Sequence, residues 1–188
     1  DPAKAKLLRL TSKLFIEAPS SKLDLFLSPE ECGQLPSKEF TARRTSNPLV
    51  FRAPHVLVAT GFTSIAFADF DVSFRHALRG ICGPKEDRDL LMFLAAYLRS
   101  SLARYFLFQT SSNWGISRQK VHVEELLRLP FPLPEVMPKP QRAWEIVKEI
   151  GGIVTSAAAK AAEAFVDREA LVRTVNDSIE GLVDEYFD

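Results

Sequence analysis

The sequence predicts an α+β fold: a small, mostly antiparallel, curved sheet with helices packed on it, followed by a helical C-terminal tail. Three observations carry that expectation. Short apolar runs between residues 49 and 81 are separated by turn residues, as the strands of a small sheet are. Leu90, Leu91, Leu94, Leu98, Leu102, Tyr105 and Phe106 form a stripe at steps of three and four, as on one face of a long helix. Beyond a proline-rich stop, residues 141–188 carry two further stripes of the same kind.

Residues 3–16 place Leu7, Leu8, Leu10, Leu14 and Phe15 at roughly helical spacing, so a first helix is expected, broken by Ala18-Pro19-Ser20-Ser21. A short strand is expected over 23–27. Ser28-Pro29-Glu30-Glu31 has the makings of a helix start, with a capping serine, a proline in the first turn and acids at the positive end of the helix dipole. Gly33 would end that helix quickly. Residues 35–48 are polar and read as an exposed loop. Strands are expected over 49–53, 55–59 and 64–70, with a turn at Thr60-Gly61, and another over 74–81. Asp87 is placed to cap one helix over 88–108. After a polar loop, a short helix over 123–129 stops at Pro130.

Pro130, Pro132, Pro134, Pro138 and Pro140 make a stiff connector. The expected organisation is an α+β body over 1–134, a linker over 135–140 and a helical tail over 141–188. In the tail, Trp144, Val147, Ile150, Val154 and Ala157 mark one stripe. Gly151-Gly152 weakens it by about 1 kcal/mol per glycine relative to alanine. Asp167 is placed to cap a last helix carrying Leu171, Val175, Ile179, Val183 and Tyr186. These stripes need cover, from each other or from a larger chain.

With 188 residues, 46% of them apolar and 14 of them Phe, the chain has enough apolar material for a sizeable core and does not read as disordered. Cys32 and Cys82 lie 50 positions apart, which is neither a disulfide framework nor a zinc pattern. Both read as small buried residues in a reducing, cytoplasmic setting. No signal or transit segment is visible. The most apolar stretch carries Arg99 and Arg104, so no membrane contact is expected. The chain opens at Asp1-Pro2 without a methionine and reads as a piece of something longer.

Net charge is zero but unevenly placed. Residues 1–130 hold 18 Lys and Arg against 13 Asp and Glu, whereas residues 131–188 hold 6 against 11. A basic body that meets an anion and an acidic tail with another task fit that asymmetry.

Catalytic patterns are absent. There is no phosphate-binding glycine loop, no Gly-x-Ser-x-Gly elbow and no His-Glu-x-x-His pair. His55, His76 and His122 are far apart and flanked by apolar material. Asp69 and Asp71 lack a third catalytic partner. No metal site is expected. What remains is a basic and polar set in expected loops: Lys38, Arg43, Arg44, Arg75, Arg79, Asn113, Trp114, Arg118, Gln119 and Lys120. Arg and Lys reach phosphates and guanine edges, Asn and Gln pair with adenine, and Trp can stack or wedge between bases. The same residues also fit ordinary polar loops, with Trp114 pinning its loop to the core.

The order of several segments carries a resemblance. They are Arg52-Ala53-Pro54-His55-Val56-Leu57-Val58, then Phe67-Ala68-Asp69, then Tyr97-Leu98-Arg99-Ser100-Ser101-Leu102. A Gly-x-x-Arg turn at Gly115 to Arg118 follows, and Leu127-Arg128-Leu129-Pro130-Phe131-Pro132 closes the series. Over residues 50–188 the chain resembles the C-terminal target-recognition domain of adenine-specific DNA methyltransferases of restriction-modification systems. It is also similar to type I restriction specificity domains. Arg99-Ser100 stands where that family has Asn-Ser. Residues 179–186 look like the terminal helix of many such enzymes. The resemblance implies sequence-specific DNA reading, with double-stranded DNA as the partner and no cofactor on this chain. S-adenosylmethionine and the Asn/Asp-Pro-Pro-Tyr/Phe motif would belong to a catalytic domain upstream, and the tail would dock on that domain or on a partner subunit. The alternative is a protein-assembly domain acting through its C-terminal helices.

Overall fold

The computed structural model describes residues 6–8, 14–17, 23–34, 40–42, 48–75, 77–111 and 120–188. The architecture is α+β, with helices layered on a mixed sheet.

Four strands form the main sheet: β3 (Asp24–Phe26), β6 (His55–Ala59), β7 (Ile65–Ala68) and β9 (Leu78–Cys82), in the order β3-β7-β6-β9. β6 pairs antiparallel with both β7 and β9, and β3 runs parallel to β7. Every residue of β6 and β7 is buried. Their alternation explains how. Val56, Val58, Ile65 and Phe67 point into a core shared with the helices. Leu57, Ala59, Ala66 and Ala68 point into a second core with Leu23, Phe51, Val72 and Phe74. A sheet covered on both faces wants the unbroken apolar run that the sequence shows.

Four expectations are corrected. The first helix, expected over 3–16, is absent from its described parts. Those are β1 (Lys6–Leu8), paired with β5 (Phe40–Ala42), and β2 (Leu14–Ile16). β2 pairs antiparallel with β4 (Gly33–Gln34) and parallel with β8 (Ser73–Phe74). The aromatic and β-branched run Leu14-Phe15-Ile16 suits a pleated surface, and pairing overrides a weak helical spacing. β5 also falls inside the expected 35–48 loop. The strand expected over 49–53 is a 3-10 turn, Pro48–Phe51, begun by a proline at its first position. A cis peptide joins Ala53 to Pro54 just beyond it. The strand expected over 74–81 is two pieces, β8 and β9, belonging to different sheets.

The single long helix expected over 88–108 is two: α1 (Arg88–Arg99) and α2 (Ser101–Thr110), inclined at 60° to each other. Ser100 makes the break. Its backbone is extended, its hydroxyl accepts from the Ala103 amide at 3.2 Å and donates to the Tyr97 carbonyl at 2.7 Å. The Ser101 amide donates to Glu180 at 2.7 Å, and its hydroxyl donates to the same carboxylate. The Ser-Ser pair was the signal for this cap, hidden within a continuous apolar stripe.

The short elements fare better. Pro29–Glu31 is a 3-10 turn closed by a capping box between Ser28 and Glu31. α3 spans Val123–Leu126, α4 Pro140–Ala161 and α5 Arg168–Phe187. Asp167 caps α5 by accepting from the Ala170 amide at 3.1 Å. α4 lies on α1 and on α5, so the stripe of Val147, Ile150, Val154 and Ala157 is buried in the helix-side core with Met92, Phe93 and Val183. Gly151 lets α4 approach closely, since a Cβ there would sit 3.1 Å from Met92 Cε. Arg142 grips both carboxylate oxygens of Glu185 across the α4–α5 pair, at 2.7 and 2.8 Å. Tyr186 donates to the Pro132 carbonyl at 2.8 Å, and burial pushes its phenol up to about 12. Arg168 on α5 stacks over Phe26 at 4.2 Å, pairs with Glu31 and donates to the Phe26 carbonyl, tying the last helix to β3. No single helix among the described residues is long and apolar enough to cross a membrane.

Candidate nucleic-acid interface

The β6–β7 turn defines one end of the main sheet. Phe62 holds that turn from inside, buried, with a left-handed backbone (φ 57°) and its amide on the Ala59 carbonyl at 2.8 Å. A bulky residue in that region is strained and persists only where its surroundings hold it. The Thr60 amide donates to the Ala77 carbonyl at 3.0 Å, bringing the β8–β9 connection alongside.

Val121 lies at this same end. The Val121 amide donates to the Thr60 carbonyl at 3.0 Å. Arg79, from β9, donates through Nη1 to the Val121 carbonyl at 2.5 Å. Burial lowers the Arg79 pKa, against the pull of Glu124 and Glu125. Lys120, next in the chain, is exposed.

Ser111 stands on the other side of residues 112–119. Its hydroxyl donates to Glu125 Oε1 at 2.7 Å, while Glu125 Oε2 accepts from the His122 amide at 2.7 Å in a capping box at the start of α3. Glu125 is only 8% exposed. One buried carboxylate therefore joins Ser111 to His122, residues on either side of 112–119. Nothing in the sequence pattern singled out Glu125 or Ser111, and Thr60 was read only as a turn residue. The available signal was the His122-x-x-Glu125 spacing, which is that of a capping box with histidine in place of serine.

Three of the ten sequence-predicted residues are described, and two of them, Arg79 and Lys120, lie at or next to the Val121 contact. Arg79 anchors the loop, and Lys120 stands beside it. Arg75, in the β8–β9 connection, lies over the Phe15 ring at 5.7 Å and pairs with Glu17 at 2.9 Å, with about half its side chain exposed. Lys38, Arg43, Arg44, Asn113, Trp114, Arg118 and Gln119 lie outside the described residues.

The opposite end of the sheet holds a cleft of about 720 Å³ lined by Arg52, Pro54, Asp69, Asp71, Lys85 and Arg88. Its two carboxylates are engaged. Asp71 accepts from Arg52 at 3.1 Å and from the Ala53 amide at 2.9 Å, and Asp69 accepts from Arg88 at 2.7 Å. His55 is fully buried, with Nδ1 at 2.8 Å from the Val50 carbonyl and Nε2 at 3.2 Å from that of Phe70. Burial lowers its pKa, and the two carbonyls and Asp71 only partly oppose that. It ties the 3-10 turn to the segment after β7 and faces no open space. Among the described residues, no three His, Cys, Asp or Glu side chains converge to hold a metal.

Compared with family models, with curated proteins and with solved structures, the chain matches none.

Proposed function

We propose that this chain is a sequence-specific DNA-recognition module of a restriction-modification adenine methyltransferase. The observation that carries the reading is the set of contacts that fixes the chain on either side of residues 112–119. Glu125 holds Ser111, and Arg79 and Thr60 hold Val121. The sequence between supplies Asn113, Trp114, Arg118 and Gln119, followed by Lys120. A rigid scaffold lowers the ordering cost of binding at residues it carries. Arg and Lys suit phosphates, and the amides of Asn and Gln suit base edges. In this reading the partner is duplex DNA, S-adenosylmethionine belongs to a methyltransferase domain, and the acidic C-terminal helices face that domain. Assembly through the C-terminal helices has less support, because their apolar stripes already bury against α1 and each other.

The test is titration of a fluorescent random-sequence duplex at about 50 and 200 mM salt, the range over which phosphate contacts show themselves. Binding should weaken steeply with salt. The Arg118→Ala, Lys120→Ala double variant should bind less tightly, with a log–log salt slope shallower by about 1.8, which is about 0.9 for each phosphate no longer neutralised. Salt-insensitive binding, or none at the lower salt, refutes the reading.

A further inference from the structure

α2 leads directly into the anchored loop, and it is amphipathic in an unusual direction. Ala103 and Leu107 face inward and are fully buried. Arg104, Tyr105 and Phe108 recur at steps of one and three and share the outward face. Tyr105 is 64% and Phe108 61% exposed. Among the described residues neither ring stacks on another, and Arg104 forms no salt bridge. The helix carries no Asp or Glu. The exposed Lys120 and Arg128 lie on the segment that follows the loop.

Two aromatic rings held in water are a cost that packing would ordinarily remove. A face that combines exposed rings with a cation, on a helix with no acid of its own, matches a polyanion whose interior is apolar. Nucleic acid is such a partner, offering phosphates to arginine and base faces or sugars to aromatic rings. The face also continues without a break into Ser111, the first foot of the loop.

We propose that the outward face of α2 is a second part of the DNA interface, with Arg104 on a backbone phosphate and Tyr105 and Phe108 against the uncharged part of the nucleotide. This rests on the DNA-recognition reading and adds a component that salt does not screen. That difference makes the two contributions separable.

The experiment titrates the same duplex with the full chain and with variants on α2. Tyr105→Ala, Phe108→Ala should weaken binding by about tenfold or more, since two rings lose the apolar surface they bury against the sugars. The loss should be equal at both salt concentrations, leaving the slope unchanged. Tyr105→Phe, Phe108→Tyr keeps both rings and should keep the affinity. Arg104→Ala should instead make the slope shallower by about 0.9. The positions are exposed, and unchanged thermal unfolding of each variant would verify that the fold is kept. If the wild-type chain binds and the double alanine variant binds equally well, the inference fails while the DNA reading stands. If the double alanine variant turns a dimer into a monomer in sedimentation, the face is a contact between copies and the inference fails. If the wild-type chain does not bind, the DNA reading itself has failed.

Discussion

Replacing Glu125 by alanine should loosen the whole loop end of the molecule. Among the described residues the carboxylate accepts hydrogen bonds of 2.7 Å from the His122 amide and the Ser111 hydroxyl, in a site 8% exposed. Hydrogen bonds to a charged group contribute about 1.5–3 kcal/mol each. Truncation also lets water reach the orphaned donors, which returns part of that. A net loss of about 3 kcal/mol follows. For a domain of this size each kcal/mol shifts Tm by about 2–4 °C, so Tm should fall by roughly 6–12 °C. Glu125→Gln keeps an acceptor and should lose about half as much. The assay is thermal unfolding followed by circular dichroism, with Ser111→Ala completing a double-mutant cycle. Coupling between Ser111 and Glu125 should be about 1 kcal/mol, within the range for residues in direct contact. A Tm shift below about 2 °C, or a coupling of zero, would refute the claim that one carboxylate joins the two feet of the loop.

Further outcomes follow from the packing and from one buried histidine. A methyl group added at Gly152 would meet nothing within 4 Å, so Gly152→Ala should stabilise by about 1 kcal/mol through helix propensity alone. Gly151→Val should destabilise, because even one added carbon meets Met92 at 3.1 Å; equal melting temperatures for the two variants would contradict the α1–α4 contact. Gly80→Ala would put a methyl 2.7 Å from the Val50 carbonyl and 2.9 Å from Phe74, so denaturant titration should show a loss of at least about 1–3 kcal/mol, as for an overpacked core. The His55 pKa is lowered in the fold, so the unfolded chain takes up its proton first as pH falls. Stability from this group is therefore complete above about pH 6.5 and declines as pH drops below it, by at most about 1.4 kcal/mol per unit. A His55→Asn variant whose stability has the same slope between about pH 6.5 and 5 would refute that assignment.

Legibility in the sequence followed the range of the interactions. β6, β7 and their turn were readable because β-branched runs bounded by Thr60-Gly61 carry a local signal. The Asp167 cap and the last helix were readable for the same reason. β1, β2 and β5 were not, because three-residue strands exist only through partners far along the chain. Of the candidate site, the polar character of residues 112–119 was visible. Glu125 was not, since its value lies in reaching Ser111, fourteen residues away. The outward rings of α2 were likewise assigned in part to a buried stripe: Tyr105 belongs to the apolar pattern by sequence but to solvent in the fold.

By itself the sequence determined the α+β class, the apolar central strands, the three C-terminal helical segments and the lack of recognisable catalytic motifs, because composition and short-range periodicity are enough for each. Tertiary structure alone decided that the long stripe breaks at Ser100, that α4 and α5 close over α1, and that Val121 meets both Thr60 and Arg79. Those outcomes depend on which buried groups find hydrogen-bond partners and which apolar faces find cover. Such choices are made between residues distant in sequence, where local propensities of a few tenths of a kcal/mol are outweighed by burial and by satisfied polar groups.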